Sequence, residues 1–225
     1  MKMKSILLPG LLILAACSQG SGISVPTLKY DGLKGDVGAI KEQEINRLGI
    51  TYFDKRGHQV RYEEYGQDGV CVLTVTDRYR RDLLVREKTE TYPDTRSEKH
   101  VVSRKDNYVK WDSDTDGTVE MFYDGLHYCA KNAAGELLGE AWFDETGRLT
   151  RQKNYSAGTV VLDAVREYDG DGRLIRQTEY HPQGDTLTFT YSYPHLDENG
   201  NWLVRYNRLG DRIIGSTQRE IYYRK

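Results

Sequence analysis

Two nine-residue stretches of this chain are near-copies, and a repeated unit constrains a fold more tightly than composition does. Gly147-Arg-Leu-Thr-Arg-Gln-Lys-Asn-Tyr155 and Gly172-Arg-Leu-Ile-Arg-Gln-Thr-Glu-Tyr180 agree at six positions of nine. An aromatic-Asp pair precedes each, Phe143-Asp144 in one and Tyr168-Asp169 in the other. A third copy opens at Phe53-Asp54 and keeps Gly57, Arg61 and Tyr65 at the same offsets. A fourth, Asp197 to Gly200, carries Leu196 in place of the leading aromatic and Trp202 where the others have Leu149 and Leu174.

The unit reads as a β-hairpin element. Asp bonds its own downstream backbone and Gly accepts a positive φ, which together make a tight turn. Beyond the glycine, offsets +2, +4 and +8 share one face of a strand: Leu149, Arg151 and Tyr155 in one copy, Leu174, Arg176 and Tyr180 in the next. A helix would separate Leu149 from Tyr155, so the strand is expected. Stacked copies would lay arginine stems over tyrosine rings, contributing roughly 0.5–1 kcal/mol per exposed pair.

The segments YDGDGRLIR (Tyr168 to Arg176) and FDETGRL (Phe143 to Leu149) resemble YD repeats of the Rhs (rearrangement hot spot) type. That resemblance implies consecutive antiparallel hairpins coiling into a long sheet. Four copies are too few for the closed shell of the large Rhs proteins, and no effector domain follows the last copy. Their toxin-delivery role is therefore not carried over.

The N-terminus has a different organisation. Lys2 and Lys4 precede an apolar run, Ile6 to Leu14, and the small residues Ala15 and Ala16 follow. This is the layout of a secretory signal, too short to span a bilayer as a helix. Leu14-Ala15-Ala16-Cys17 resembles the lipobox of bacterial lipoproteins. It implies cleavage between Ala16 and Cys17 and acyl chains such as palmitate on Cys17. Each buried methylene contributes about 0.8 kcal/mol, so two or three chains hold firmly. Ser18 after the cysteine implies passage to the outer membrane, with the facing of the domain left open. The expected division is a signal peptide at 1–16, the lipidated cysteine and a Ser/Gly-rich tether at 17–28, and one domain at 29–225.

Composition narrows the rest. The leader takes two lysines with it, moving the formal charge from −2 to −4, which argues against nucleic acid. Seventeen Tyr against 4 Phe suggest half-wet aromatic faces, and 22 Gly suit many turns. Val70 to Val75 reads as a strand buried on both sides, and Leu83–Thr91 with Ser97–Lys105 as a charged pair. Ala39 to Leu48 is the one stretch with helical character, and even there a strand is favoured. The fold expected is all-β: an antiparallel meander of repeated β-hairpins forming an extended, twisted sheet, with room to stay open rather than close into a compact sandwich.

Chemistry is harder to find. Asp112, Asp114 and Asp116 match the front half of a calcium loop, but position twelve is Tyr123 instead of glutamate, and an acidic hairpin turn explains them as well. Cys71 and Cys129 fit either a disulfide in an exported protein or buried free thiols. The five histidines show no metal spacing, and His58, His181 and His195 read as solvated turn residues. Trp111, Trp142 and Trp202 suit core anchors better than sugar-stacking platforms. No cofactor or catalytic motif is expected. The reading favoured is a non-catalytic lipoprotein binding a protein or glycan partner or serving an envelope structural role. Two alternatives remain: an envelope glycan-acting enzyme, and an immunity or inhibitor lipoprotein suggested only by anchor, size and family association.

Overall fold

The computed structural model describes residues 33–80, 83–90, 95–105, 108–113 and 117–225. Sixteen strands follow one another: β1 (Val37–Gln43), β2 (Leu48–Phe53), β3 (Gln59–Tyr65), β4 (Cys71–Arg80), β5 (Leu83–Glu90), β6 (Arg96–Lys105), β7 (Tyr108–Ser113), β8 (Gly117–Asp124), β9 (His127–Asn132), β10 (Leu137–Phe143), β11 (Leu149–Ser156), β12 (Thr159–Tyr168), β13 (Leu174–Tyr180), β14 (Thr186–Leu196), β15 (Trp202–Leu209) and β16 (Arg212–Tyr223). Each pairs antiparallel with its successor, as the hairpin reading expects. The stretch with helical character is β1 and the start of β2. The meander does not end in two edges. β1 pairs with β16 from Val37↔Tyr223 to Gln43↔Gln218, so the sheet closes on itself as a barrel.

The turn chemistry holds in all four copies. Each aspartate accepts two backbone N–H groups on one oxygen: Asp54 from Arg56 and His58, Asp144 from Thr146 and Arg148, Asp169 from Asp171 and Arg173, Asp197 from Asn199 and Asn201. The glycine amide donates back to the aspartate carbonyl, and Gly57, Gly147, Gly172 and Gly200 all have φ between +78° and +87°. The same backbone turn recurs at Gly66, Asn132 and His181, where the sequence carries no Asp-x-x-Gly. All four Asp turns join an even strand to the next odd one, so they stand on one rim of the barrel, where β1 enters and β16 ends.

The face assignment needs a correction. A bulge in each copy pairs Trp142 with Arg151 but Phe143 with Leu149, and Glu167 with Arg176 but Tyr168 with Leu174. Paired residues share a face, so Leu149 and Leu174 lie opposite Arg151 and Arg176 rather than beside them. The arginine–tyrosine stacking also differs. Arg148 lies over Tyr168, the leading ring of the next copy, and Arg173 lies over Tyr193, three residues before Leu196, so the arginine directly after each glycine meets a tyrosine one hairpin on. Those tyrosines donate to the Leu149 and Leu174 carbonyls, at 2.9 and 2.7 Å. Arg151 instead pairs with Asp163 and lies over Trp142.

Which face is inside follows from packing. Val109, Met121, Tyr128, Ala130 and Ala141, on β7 to β10, form a buried cluster, and Tyr79 of β4 packs against it. β4 lies three strands away from β7 around the wall, so this contact is made across the interior. Val75 and Asp77 share that inward face with Tyr79. The β4 segment is thus half-buried rather than buried on both sides, and Val70 stands in the preceding turn, exposed.

The seam is fastened at the rim. The buried Asn201 amide accepts the Lys34 N–H at 2.7 Å and donates to the Lys34 carbonyl at 2.8 Å, and it also donates to the Tyr223 hydroxyl at 2.7 Å. Asn201→Ala would orphan the Lys34 backbone groups. We expect a loss of about 1–3 kcal/mol, read as a lower denaturant midpoint with an unchanged slope.

Acid should loosen the same rim. Burial alone would raise the Asp144 carboxyl, but donors from Thr146 and from the Arg148 backbone and guanidinium outweigh it and hold the pKa below the usual aspartate range. Asp169 and Asp197 are lowered against the same opposing burial, by Arg173 and by Tyr223 and Asn201. A carboxyl depressed in the folded state contributes stability above its unfolded value, and that contribution is lost as pH falls through the folded one. Thermal midpoints should therefore drop below about pH 4, and less steeply in Asp144→Asn/Asp169→Asn. The asparagines keep the turn, since Asn132 already makes it with donors from Ala134 and Glu136.

Candidate functional site

The inward face can be followed by register from the apolar cluster into the other half of the barrel. Ala141 pairs with Gln152 and Gln152 with Ala164; two residues on, Arg166 pairs with Gln177 and Gln177 with Phe189; two further, Tyr191 pairs with Asn207 and Asn207 with Gly215. Thr217 and Arg219 continue that face along β16, opposite Arg205 and Glu42. The interior therefore has two characters. From β7 to β10 it is apolar. From β12 to β16 it carries three guanidinium groups among tyrosine and tryptophan rings.

These groups interleave. Arg205 lies 5.9 Å from the Tyr191 ring centre and 5.1 Å from that of Trp202, while Arg219 lies 3.4 Å from Trp202. Tyr193 packs on Trp202 at 5.7 Å. Such cation–ring contacts are worth about 2 kcal/mol or more when desolvated. Burial raises the Tyr191 hydroxyl, with Arg205 and Arg166 opposing. Burial also pushes Tyr193 up to about 12, against Arg205 and Arg219. Both stay neutral phenols at physiological pH.

The three arginines differ in partners. Arg219 donates from Nε to Glu42 at 2.6 Å, an ion pair in which the guanidinium is buried and the carboxylate part-exposed. Arg166 donates to two amide oxygens, Gln177 at 2.8 Å and Gln152 at 3.5 Å. Arg205 donates to the Thr217 hydroxyl at 3.1 Å. Neither Arg166 nor Arg205 forms an ion pair with a carboxylate among the described residues, and burial lowers the Arg166 pKa. The nearest inward acid on β13, Glu179, accepts from Gln177 at 2.6 Å. The arrangement can hold negative charge beside flat apolar surfaces.

None of these residues except Trp202 was singled out by sequence. Alternating Arg and Tyr on a strand reads as an ordinary solvated face until the barrel shows which side is inward. Trp202 is buried at 6% exposure, as a core anchor should be. Trp142 sits on the outer face between His127, Arg151 and Lys153, and the Trp111 side chain lies outside the described residues. His58 departs from expectation. It is 4% exposed, bonded to Asp54 at 3.0 Å and stacked on Tyr79, since the inward-turned strand end buries it. His181 is half-buried and His195 exposed.

Cys71 and Cys129 are free thiols. They lie on β4 and β9, five strand steps apart around the wall, or roughly 24 Å at about 4.8 Å per step. No disulfide joins them in this structure. Asp112 is on β7, where it accepts from Thr118 at 2.7 Å and pairs with Lys110 at 2.9 Å. Asp114 and Asp116 lie outside the described residues, as do Ala16 and Cys17.

No family model and no curated protein matches the chain. A solved structure is similar in fold: the crystal structure of a porin-like protein from Bacteroides uniformis ATCC 8492, with a TM-score of 0.57 at 10% sequence identity, covering 83% of this chain and 98% of that one. At that identity the likeness is one of fold alone, and the chain shares with that protein a β-barrel architecture.

Proposed function

We propose that this is a non-catalytic lipoprotein of the cell envelope, tied to the outer membrane by acyl chains on Cys17, whose barrel binds a protein or glycan partner. The observation that carries it is the outer wall. Lys41 with Glu220, Arg61 with Glu63, Lys110 with Asp112, Arg151 with Asp163, and Arg176 with Glu167 are ion pairs spread around the outward face. Glu220, Arg61 and Arg176 are each more than half exposed. A lipid-facing barrel instead presents an apolar band about 25 Å tall. A wall of this kind belongs in water, so attachment falls to the lipid on Cys17 and the inner wall is left for recognition.

Two measurements test the reading. Labelled palmitate should enter the wild-type chain and not Cys17→Ser, and equal labelling of the two would remove the anchor. The purified chain should release no reducing ends from envelope polysaccharide. Any turnover would make it the glycan-acting enzyme instead.

A further inference from the structure

We propose that the inner wall of β12 to β16 is a binding site for a small, ring-bearing anion. Its carboxylate or phosphate group is held by Arg166 and Arg205, and its ring lies against Tyr191 and Tyr193. The proposal deepens the binding role above by naming a ligand class, and it does not depend on the anchor.

The first ground is guanidinium groups with no carboxylate hydrogen-bonded to them among the described residues. Arg166 Nη1 and Arg205 Nε are buried atoms without a hydrogen-bond partner, and the donors these residues do use go to neutral oxygens on Gln177, Gln152 and Thr217. Guanidinium is always charged, and leaving its buried N–H groups unmet is costly. A carboxylate or phosphate matches the planar fork of donors and removes that cost. On the same wall Arg219 differs in having a carboxylate partner, Glu42.

The second ground is placement. Arg205 lies 5.9 Å from the Tyr191 ring centre, and Arg166 stands on the same inward face two strands away, paired through Gln177 to Phe189 next to Tyr191 on that face. Tyr191 and Tyr193 are two apart on β14 and face the same way, and Trp202 adjoins Tyr193. A pyranose or aromatic ring carrying the anion would meet flat surfaces beside the charge. Gln152, Gln177 and Asn207 edge the site and supply further polar contacts, and Asn207 Oδ1 is itself a buried acceptor without a partner. A hydroxyl or ammonium on the ligand would satisfy it.

The test is a titration of the full chain carrying Cys17→Ser, followed by Trp fluorescence and calorimetry. The probes are glucuronate as the carboxylate source, glucose 6-phosphate as the phosphate source, and glucose as the neutral control. Saturable binding of either anion, with glucose silent, supports the proposal, and the stronger of the two identifies the source of the charge. Arg166→Gln/Arg205→Gln should weaken that binding by about tenfold or more, with a folded barrel verified by its thermal transition. Should the double variant lose its fold, Asn207→Leu gives a second reading, weakening ligand with no charge altered. Glucose binding as tightly as glucuronate would overturn the proposal. So would silence from both anions at millimolar concentration, or undiminished binding by the double variant. A silent titration with palmitate labelling intact would leave the lipoprotein standing and remove only this site.

Discussion

Replacing Asp77 by alanine is expected to lower the thermal midpoint by on the order of 10 °C, since breaking a buried ion pair from one side costs about 3–5 kcal/mol and a chain of this size loses roughly 2–4 °C per kcal/mol. Arg86 donates from Nε and Nη2 to the two carboxylate oxygens of Asp77, each at 2.7 Å. The pair sits on facing positions of β4 and β5, on the inward side, with Asp77 4% and Arg86 8% exposed. Without Asp77 the guanidinium keeps its charge and has lost both acceptors. The effect should be conditional on that stranded charge. Asp77→Leu/Arg86→Met removes both members and is expected to recover most of the loss, because an apolar replacement of a buried pair is often neutral or better. Calorimetry on the three chains decides it. If Asp77→Ala melts with the parent, water reaches Arg86 and the pair is not the enclosed feature its burial indicates.

How much of this was legible depends on range. The Asp-x-x-Gly turns were, because the aspartate, the two amides it accepts and the positive-φ glycine all lie within five residues. Leu149 was placed on the wrong face by one residue. The bulge opposite Trp142 flips everything before it, and no side chain at Thr150 announces an extra position. Closure was not legible at all, since Val37 meets Tyr223 through backbone groups that any strand possesses. The site failed with it. Arg166, Arg205 and Arg219 sit in polar strands that also describe the outer wall, and only the contact of Tyr79 with the β7–β10 cluster tells the two sides apart. His58 shows the same dependence at small scale. It occupies a turn, which suggests solvent, yet its hairpin leans inward and the ring stacks at 4.9 Å on Tyr79.

The Cys17→Ser chain is expected to stay off membranes completely, in spite of a fold shared with a porin-like protein. Register puts Lys41, Arg61, Glu63, Glu87, Lys110, Glu120, Lys131, Glu140, Lys153 and Asp163 on the outward face of successive strands. Several fall at mid-strand, where a barrel crossing a bilayer meets the hydrocarbon centre. A lysine or arginine there costs about 2–4 kcal/mol, falling to about 0–1 near the interfaces. Even a few central charges add up to a cost comparable with a domain's whole stability of roughly 5–15 kcal/mol. Insertion would therefore unfold the wall before it satisfied the lipid. In a vesicle flotation assay the Cys17→Ser chain should stay in the dense aqueous fraction at all salt concentrations, while the acylated chain rises with the vesicles. Salt separates the alternatives, because surface attraction of exposed charges fades above a Debye length of about 8 Å at physiological ionic strength whereas insertion does not. Salt-resistant flotation of the Cys17→Ser chain would mean that the charged face is not the outside of the barrel.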